Sequence, residues 1–340
     1  MAVILAFRPL GGHTLRSLLV FWALEKLSEN SRHFFIPAPM AYFWEKNHMK
    51  EVRDLLGLLE LEKIEENLFR GESSSVGSSR VFGGQVLAQS LYAAMRTTPE
   101  DRYVHSLHAY FILPGMLDTP IVFQVDRIRD GGSFTTRRVK AIQNGAVIFL
   151  MSASFQLIQE GFDHHINMPN VSAPEVLVSW EDMVEQYGEM LPENIRKFLN
   201  LERPIEFRPV ELINPALPGK SRPFRHVWMK AKGAMPQDRK AHQCVLAYTS
   251  DYNLLTTALL PHGNEASFGN VQLASLDHAM WFHRDFRMDE WLLYAIDSPS
   301  ASNARGFTRG NIFSREGKLV ASVVQEGLIR PRKEKNTKPA

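Results

Sequence analysis

The order of apolar and polar residues predicts a helix followed by a series of antiparallel strands, and this order occurs twice. Apolar residues at positions 52, 55, 56 and 59 recur at helical spacing, and Gly83-Gly84 opens a second helix with a small apolar face. Four segments after it read as strands: 104–112, 121–128, 134–143 and 146–157. Asn144-Gly145, between the last two, is a strong hairpin signal, and Gly71–Ser79 reads as a loop.

The same order of elements begins again after a polar stretch. This stretch contains two short predicted helices, 179–187 and 195–199. Residues 239–260 read as one helix. The predicted strands are 205–212, 224–232, 272–283, 291–296, 305–313 and 318–329, and the last two form a hairpin about Glu316-Gly317. Runs of strands with a single helix before them predict an α+β fold.

The two halves can be compared by counting residues. His108-Ala109 is followed by Asp126 after 18 residues and by Gly145 after 37, whereas His278-Ala279 is followed by Asp297 after 19 and by Gly317 after 39. A helix with a Gln before small apolar residues precedes each copy. Shared order and spacing indicate a duplicated α+β unit.

These patterns predict five parts of the chain. They are residues 1–48 as an N-terminal extension outside the fold, 49–160 as the first unit, 161–204 as a linker, 205–330 as the second unit, and 331–340 as a disordered tail. The apolar run in residues 1–27 is too short to span a bilayer. It leaves open a transit peptide as the alternative to a plain extension.

Composition narrows the function classes. The chain has 340 residues, is 44% hydrophobic and carries a formal net charge of +2, so bulk charge gives no reason to expect nucleic-acid binding. The single cysteine, Cys244, excludes an intrachain disulfide and favours the cytoplasm, with an organelle as the alternative if residues 1–27 target the chain. No Gly-x-Ser-x-Gly, P-loop or Gly-x-Gly-x-x-Gly motif occurs, and Asp163-His164-His165 lacks further ligands, so neither cofactor nor metal is predicted.

Six stretches carry a recognisable pattern: Arg80–Val86, Val104–Phe111, Arg129–Phe134, Ser250–Leu254, Ser275–His283 and Val324–Gly327. These stretches resemble the acyl-CoA thioesterase II (TesB-like) family, whose fold is a double hot-dog in which each of two helices is wrapped by antiparallel sheet. They span roughly residues 50 to 330 in the family's order. The resemblance implies hydrolysis of fatty acyl-CoA to a free fatty acid and coenzyme A.

The resemblance also implies which residues act. Asp251, Ser275 and Gln325 match the family's Asp, Thr or Ser, and Gln that activate a water; many bacterial members have Thr where this chain has Ser275. Substrate contacts are expected from Gly83, Gly84, Gln85, His108 and His278.

From the residues alone, an Asp can accept a proton from water, and burial would raise its pKa towards a useful range. The Ser275 hydroxyl and the Gln325 amide are neutral groups that can hold the water. Asp251 could instead only cap a helix, and His278 and Cys244 could be structural.

Hydration of an enoyl thioester and non-catalytic acyl-CoA binding remain the rival functions. Exposed sheet edges favour a homo-oligomer. The absence of a counterpart to Asp251 in the first half suggests that one of the two repeated sites reacts.

Overall fold

The structure is a computed structural model that describes residues 49–191, 193–211, 219–266 and 270–332, apart from the side chains of residues 194 and 264. The predicted extension, residues 1–48, and the tail beyond residue 332 lie outside the described residues. The predicted domain boundaries remain a prediction.

The described part is an α+β fold in which both halves contribute helices and antiparallel strands. The helices are α1 (Val52–Leu59), α2 (Gly83–Met95), α3 (Trp180–Tyr187), α4 (Glu193–Leu199) and α5 (Arg239–Ser250). The strands of the first half are β1 (Glu62–Glu65), β2 (Leu68–Gly71), β3 (Tyr103–Phe111), β4 (Ile121–Asp130), β5 (Phe134–Gln143) and β6 (Ala146–Gln156). Those of the second half are β7 (Ile205–Pro209), β8 (Phe224–Ala231), β9 (Val271–Ser275), β10 (Asp277–Phe282), β11 (Leu292–Ser302), β12 (Arg305–Ser314) and β13 (Leu319–Pro331).

Most of these elements follow directly from local sequence. The hairpin between β5 and β6 is confirmed, and both of its turn residues have positive φ, 49° at Asn144 and 77° at Gly145. Positive φ at both central residues is what a type I′ turn requires. The two short helices of the polar stretch, α3 and α4, are also confirmed.

The predicted helix over residues 239–260 is wrong in its length, because α5 ends at Ser250 and Asp251 is its C-cap. The hydroxyls of Thr249 and Ser250 donate to the carbonyl oxygens of Val245 and Ala247, at 2.7 and 2.9 Å. Asn253 then takes φ +66°, which a helix cannot continue through. Residues Leu255–Glu265 form 3-10 turns instead.

The predicted strand over residues 272–283 is two strands, β9 and β10, separated at Leu276. Both pair with β13. The break is fixed by the Asp277 carboxylate, which accepts a hydrogen bond from the Glu326 N–H at 2.6 Å. A side-chain acceptor here competes with the regular ladder.

The strands form a continuous sheet in the order β1-β2-β4-β5-β6-β3-β10-β13-β12-β11-β8-β7, with β9 beside β13. The second half therefore repeats the first in mirror order, and antiparallel pairing of β3 with β10 joins them. Helices α2 and α5 pack together, and a Cβ on Gly84 would lie 2.3 Å from the Tyr248 carbonyl oxygen. This is the predicted double hot-dog arrangement.

The register of the β3–β10 pair corrects the predicted repeat by one residue. Ion pairs Asp126–Arg138 and Asp297–Arg309 occupy matching places, and both members differ by 171 (297 − 126 and 309 − 138). With the same difference of 171, Leu107 and His278 are equivalent positions in the two halves. His108 and Ala279 are also equivalent by this difference, and they pair directly with each other between β3 and β10. His108 therefore lies on the exposed face of the sheet, whereas His278 and its counterpart Leu107 face the core.

The core lies between the helices and the inner face of the sheet. Leu87 and Leu91 of α2 and Leu246 of α5 are fully buried. Each such side chain contributes about 1.5–3 kcal/mol relative to an exposed one, which holds the helix ends in fixed positions against the sheet.

Candidate active site

Asp251 lies where three distant segments meet. Its Oδ2 accepts a hydrogen bond from the Gly84 N–H at the start of α2, at 2.9 Å. Its Oδ1 accepts one from Gln325 Nε2 on β13, also at 2.9 Å. Each carboxylate oxygen keeps a further lone pair for another donor.

Close packing around this carboxylate requires a glycine at position 83. A Cβ on Gly83 would lie 2.7 Å from Asp251 Oδ2 and 2.9 Å from the ring of Phe111. The absence of a side chain lets the start of α2 approach the acid directly.

The pKa of Asp251 is raised above its ordinary value because burial removes water from the carboxylate. Hydrogen bonds from Gln325 and Gly84 partly oppose this shift. The result is a stronger base than an exposed aspartate.

A chain of hydrogen bonds behind the carboxylate orients Gln325. Ser250 Oγ donates to the Ala247 carbonyl, so it must accept from His278 Nε2, at 3.0 Å. His278 Nδ1 is then the acceptor for Gln325 Nε2, at 3.4 Å. Both amide hydrogens of Gln325 are thereby used, one on His278 and one on Asp251.

Burial lowers the pKa of His278 to about 3. The imidazole is therefore neutral at physiological pH, which agrees with its acceptor role towards Gln325. Its side chain is fully buried behind Gln325. This placement favours the structural alternative over the predicted substrate contact.

The other end of the Gln325 amide is free for chemistry. Gln325 Oε1 is buried and has no hydrogen-bond partner within the described residues. A buried carbonyl oxygen without a donor is costly, so this atom is a ready acceptor for a small molecule beside Asp251.

Ser275 is the last residue of β9 and lies opposite Gly327 of β13. It is half-buried and lines the same cleft as Asp251. The structure thus brings the predicted Asp, Ser and Gln to one region, although their positions span 74 residues of sequence from Asp251 to Gln325.

Two spaces border Asp251. An open cleft of about 600 Å³ is walled by α2, the end of β3 and β9, and includes Arg80, Gly83, Phe111, Ser275 and Leu276. A second chamber of about 390 Å³ lies beneath α3 and α4. Both volumes are in the range typical of small-molecule sites.

The remaining predicted substrate residues take different places. Gly83 lines the cleft, and the Gly84 N–H binds Asp251. Gln85 is buried and ties down the preceding loop, accepting from Ser74 N at 3.1 Å and donating to the Glu72 carbonyl at 3.1 Å. His108 lies on the exposed face of the sheet, its ring 5.2 Å from that of Trp281, and its substrate contact stays a prediction.

Sequence reasoning missed the role of Ser250 and the bond between Gly84 and Asp251. A serine that ends a helix carries no signal of its partner across the core. Cys244 is fully buried and its thiol pKa is raised by desolvation, in keeping with a packing role. In the described ranges, no group of three His, Cys, Asp or Glu side chains is placed to hold a metal ion.

The matching region of the first half carries no such chemistry. Leu107, the counterpart of His278, pairs with Ala153, whereas His278 stands beside Gln325. Both Leu107 and Ala153 are buried and apolar. Of the two equivalent regions, the one in the second half has the Asp251 carboxylate, the Gln325 amide and the His278 imidazole.

Comparisons with known proteins agree on one family. A family profile described as "Acyl-CoA thioesterase" matches residues 196–328, and one described as "Acyl-CoA thioesterase N-terminal domain" matches residues 70–156. "Acyl-CoA thioesterase 2" of Haemophilus influenzae is 44% identical over 279 residues, covering 82% of this chain and 98% of that protein. Human "Acyl-coenzyme A thioesterase 8" is 41% identical over 283 residues, covering 80% of this chain and 88% of that protein.

A solved structure gives the same result. The acyl-CoA thioesterase II TesB2 from Mycobacterium marinum superposes with a TM-score of 0.67 at 44% identity, covering 81% of this chain and 98% of its own.

Proposed function

Because this chain belongs to the acyl-CoA thioesterase family, we propose that it hydrolyses fatty acyl-CoA to free fatty acid and coenzyme A with Asp251 as the general base. The observation that carries the assignment of the base is the Asp251 carboxylate itself. It is half-buried, has a raised pKa and is held by Gly84 and Gln325 beside an open cleft.

The reaction needs a water that is held, deprotonated and aimed at the thioester carbonyl. One hydrogen of the water bonds to Asp251, and the other to the unpartnered Gln325 Oε1. The Ser275 hydroxyl completes the water's surroundings from β9. As the water oxygen bonds to the carbonyl carbon, its proton passes to Asp251.

Collapse of the tetrahedral intermediate breaks the C–S bond. The coenzyme A thiolate leaves and takes the proton back from Asp251, which restores the carboxylate. The developing oxyanion needs a preorganised donor. We assign this role to the Gly83 N–H, the first of α2, because it has no intrahelical acceptor and its residue lines the cleft.

The Gly84 N–H, predicted together with Gly83 as a substrate contact, is already engaged by Asp251. It serves the base instead of the oxyanion. Gln325, oriented by His278 and Ser250, both anchors the carboxylate and receives the water.

Asp251→Asn tests the assignment. Thiol release from palmitoyl-CoA is expected to fall by about 10²–10⁴-fold, the usual worth of a general base, while the circular dichroism spectrum is retained. An unchanged rate would remove Asp251 from the mechanism.

The same assay separates the rivals. An enoyl-thioester hydratase would bleach the absorbance of a conjugated acyl-CoA without releasing thiol, and a binding module would saturate without turnover.

The proposal also includes the compartment in which the chain acts and its oligomeric state. The chain acts in a reducing compartment, the cytoplasm, or in an organelle if residues 1–27 act as a transit peptide. It assembles as a homo-oligomer, which light scattering on the purified protein tests. No helix in the described ranges is long and apolar enough to cross a bilayer.

A further inference from the structure

The two spaces beside Asp251 differ in the residues that line them. They share a wall formed by Val76, Ser78, Phe82 and Thr256, and Asp251 borders both. A thioester reacting at Asp251 has two arms, the acyl chain and the pantetheine arm of coenzyme A. The arms leave the carbonyl carbon in different directions, so each needs its own space.

The chamber is roofed by the segment between the two halves. Its apolar lining includes Trp180 and Met183 of α3 and Ile195, Phe198 and Leu199 of α4. Trp180 is 8% exposed and Leu199 7%. An acyl chain has no hydrogen-bonding groups and gains free energy only by leaving water, which such a roof provides.

The roof is held in place by Arg203, which is itself buried. Its guanidinium lies 5.0 Å from the Trp180 ring centroid and 4.7 Å from that of Phe198. It also donates to carbonyl oxygens at the end of α4, among them those of Phe198 and Leu199. A charged clamp of this kind keeps α3 and α4 together over the chamber.

The floor of the chamber holds polar groups that already have partners. Arg225 Nη1 donates to Asn253 Oδ1 and to Thr256 Oγ1, each at 3.2 Å. Glu211 accepts hydrogen bonds from both the N–H and the Nδ1 of His226. Arg225 and Glu211 carry opposite charges, so this floor has no excess of positive charge that would favour the phosphates of coenzyme A.

The cleft carries a cation that is exposed to solvent at its rim. Ile112 and Leu113 on its rim are 49% and 50% exposed. Arg80 is exposed at the same rim and is suited to a phosphate.

We propose that the acyl chain lies in the chamber beneath α3 and α4 and the pantetheine arm in the open cleft, so that the segment between the halves sets the acyl chain length. This assignment rests on the proposed hydrolysis of acyl-CoA. It makes Met183 and Phe198 specificity-determining residues, although both lie outside the two repeated units.

A chain-length series from butanoyl-CoA to palmitoyl-CoA tests the assignment. Met183→Trp fills the chamber and is expected to lower kcat/KM for palmitoyl-CoA by roughly tenfold or more, with butanoyl-CoA little changed. Phe198→Ala enlarges the chamber and should raise the ratio of palmitoyl to butanoyl activity. Leu113→Trp is the matched control on the cleft rim, and it should leave that ratio unchanged.

The reverse pattern, a ratio lowered by Leu113→Trp and unmoved by both chamber variants, would overturn the assignment. Because the wild-type protein is assayed alongside, absence of any thiol release would count against hydrolysis itself, not against the chamber.

Binding without turnover gives an independent readout. A palmityl-CoA thioether, which cannot be hydrolysed, should change the fluorescence of the wild-type protein saturably. Trp180→Phe should remove most of that change, because Trp180 lines the chamber. A full signal in Trp180→Phe would place the chain elsewhere even if hydrolysis is observed.

Discussion

Asp251 is held between the ends of two helices with opposite dipoles. It caps the C-terminus of α5, where a negative charge is disfavoured, and accepts from the N-terminus of α2, where it is favoured. Burial decides the balance and raises the pKa. The carboxylate of Asp251 is therefore a stronger base than that of an exposed aspartate.

The pH dependence of kcat/KM follows from this shift. The base must be deprotonated, so activity is expected to fall as pH decreases through the raised pKa of Asp251. The acid limb should lie above the ordinary Asp value of about 3.9. A pH–rate profile from pH 4 to 8 measures it, and a rate still constant down to pH 4 would show that the pKa of the acting base is not raised.

His278 acts through Gln325, not on substrate. His278→Leu places the side chain of its counterpart Leu107 at this position, so the fold should tolerate it. Loss of the acceptor at Nδ1 frees the Gln325 amide to rotate, and kcat is expected to fall by about 10–100-fold with KM little changed. His278→Gln, which keeps an acceptor and a donor, should restore part of kcat; equal losses in both variants would indicate a packing role only.

For single residues, the sequence predicts which side chains carry the chemistry better than it predicts which residues they contact. Asp251, Ser275 and Gln325 were predicted from their resemblance to a family, and the structure brings them to one region. The bond between Gly84 and Asp251 joins residues 167 apart in sequence, and no local pattern records it. The Ser250–His278 bond is hidden for the same reason.

At the scale of elements, the start of α2 is built around the missing side chain of Gly83. In Gly83→Ala the new Cβ would meet Asp251 Oδ2 at 2.7 Å and Phe111 at 2.9 Å. We expect the carboxylate to shift, with a loss of about 10–100-fold in kcat and about 1–3 kcal/mol in the free energy of unfolding.

Gly132→Ala is the control for this substitution. Nothing lies within 4 Å of a Cβ there, and the glycine does not have positive φ. Its rate and its urea midpoint should match those of the wild type, and a Gly83→Ala variant as active as Gly132→Ala would argue against the tight approach of α2 to the acid.

Elements were predictable where periodicity and turn residues agree, as in α1, α2 and the β5–β6 hairpin. The end of α5 and the division between β9 and β10 were not. Both depend on side chains that bond to backbone, Thr249 and Ser250 in one case and Asp277 in the other. The spacing of apolar residues does not report such bonds. Asp251 lies at the end of α5 and Ser275 at the end of β9, so both residues lie where the prediction was least accurate.

At the scale of the whole molecule, the continuous sheet makes one site from two halves. The β3–β10 pair joins them, and the first half supplies Gly83, Gly84 and Phe111 to a carboxylate from the second. The matching region of the first half has Leu107 and Ala153 instead of His278 and Gln325. One catalytic centre per chain is expected.

Division of the chain tests this dependence. A fragment of residues 205–332 contains Asp251, Ser275 and Gln325 but lacks the start of α2, so it should release no measurable thiol from palmitoyl-CoA. Co-expression with residues 49–204 should restore activity by re-forming the β3–β10 pair. Comparable activity of the 205–332 fragment alone would show that the first half is not needed for the chemistry.

In the proposed reaction, Asp251 activates a water and does not itself attack the thioester. A single turnover in H₂¹⁸O, with enzyme in excess over palmitoyl-CoA and mass analysis of both the fatty acid and the peptide that contains Asp251, tests this directly. Attack by water predicts one ¹⁸O in the fatty acid and none in the carboxylate of Asp251. An unlabelled fatty acid with ¹⁸O in Asp251 would reveal an anhydride intermediate and contradict the role of Asp251 as a base.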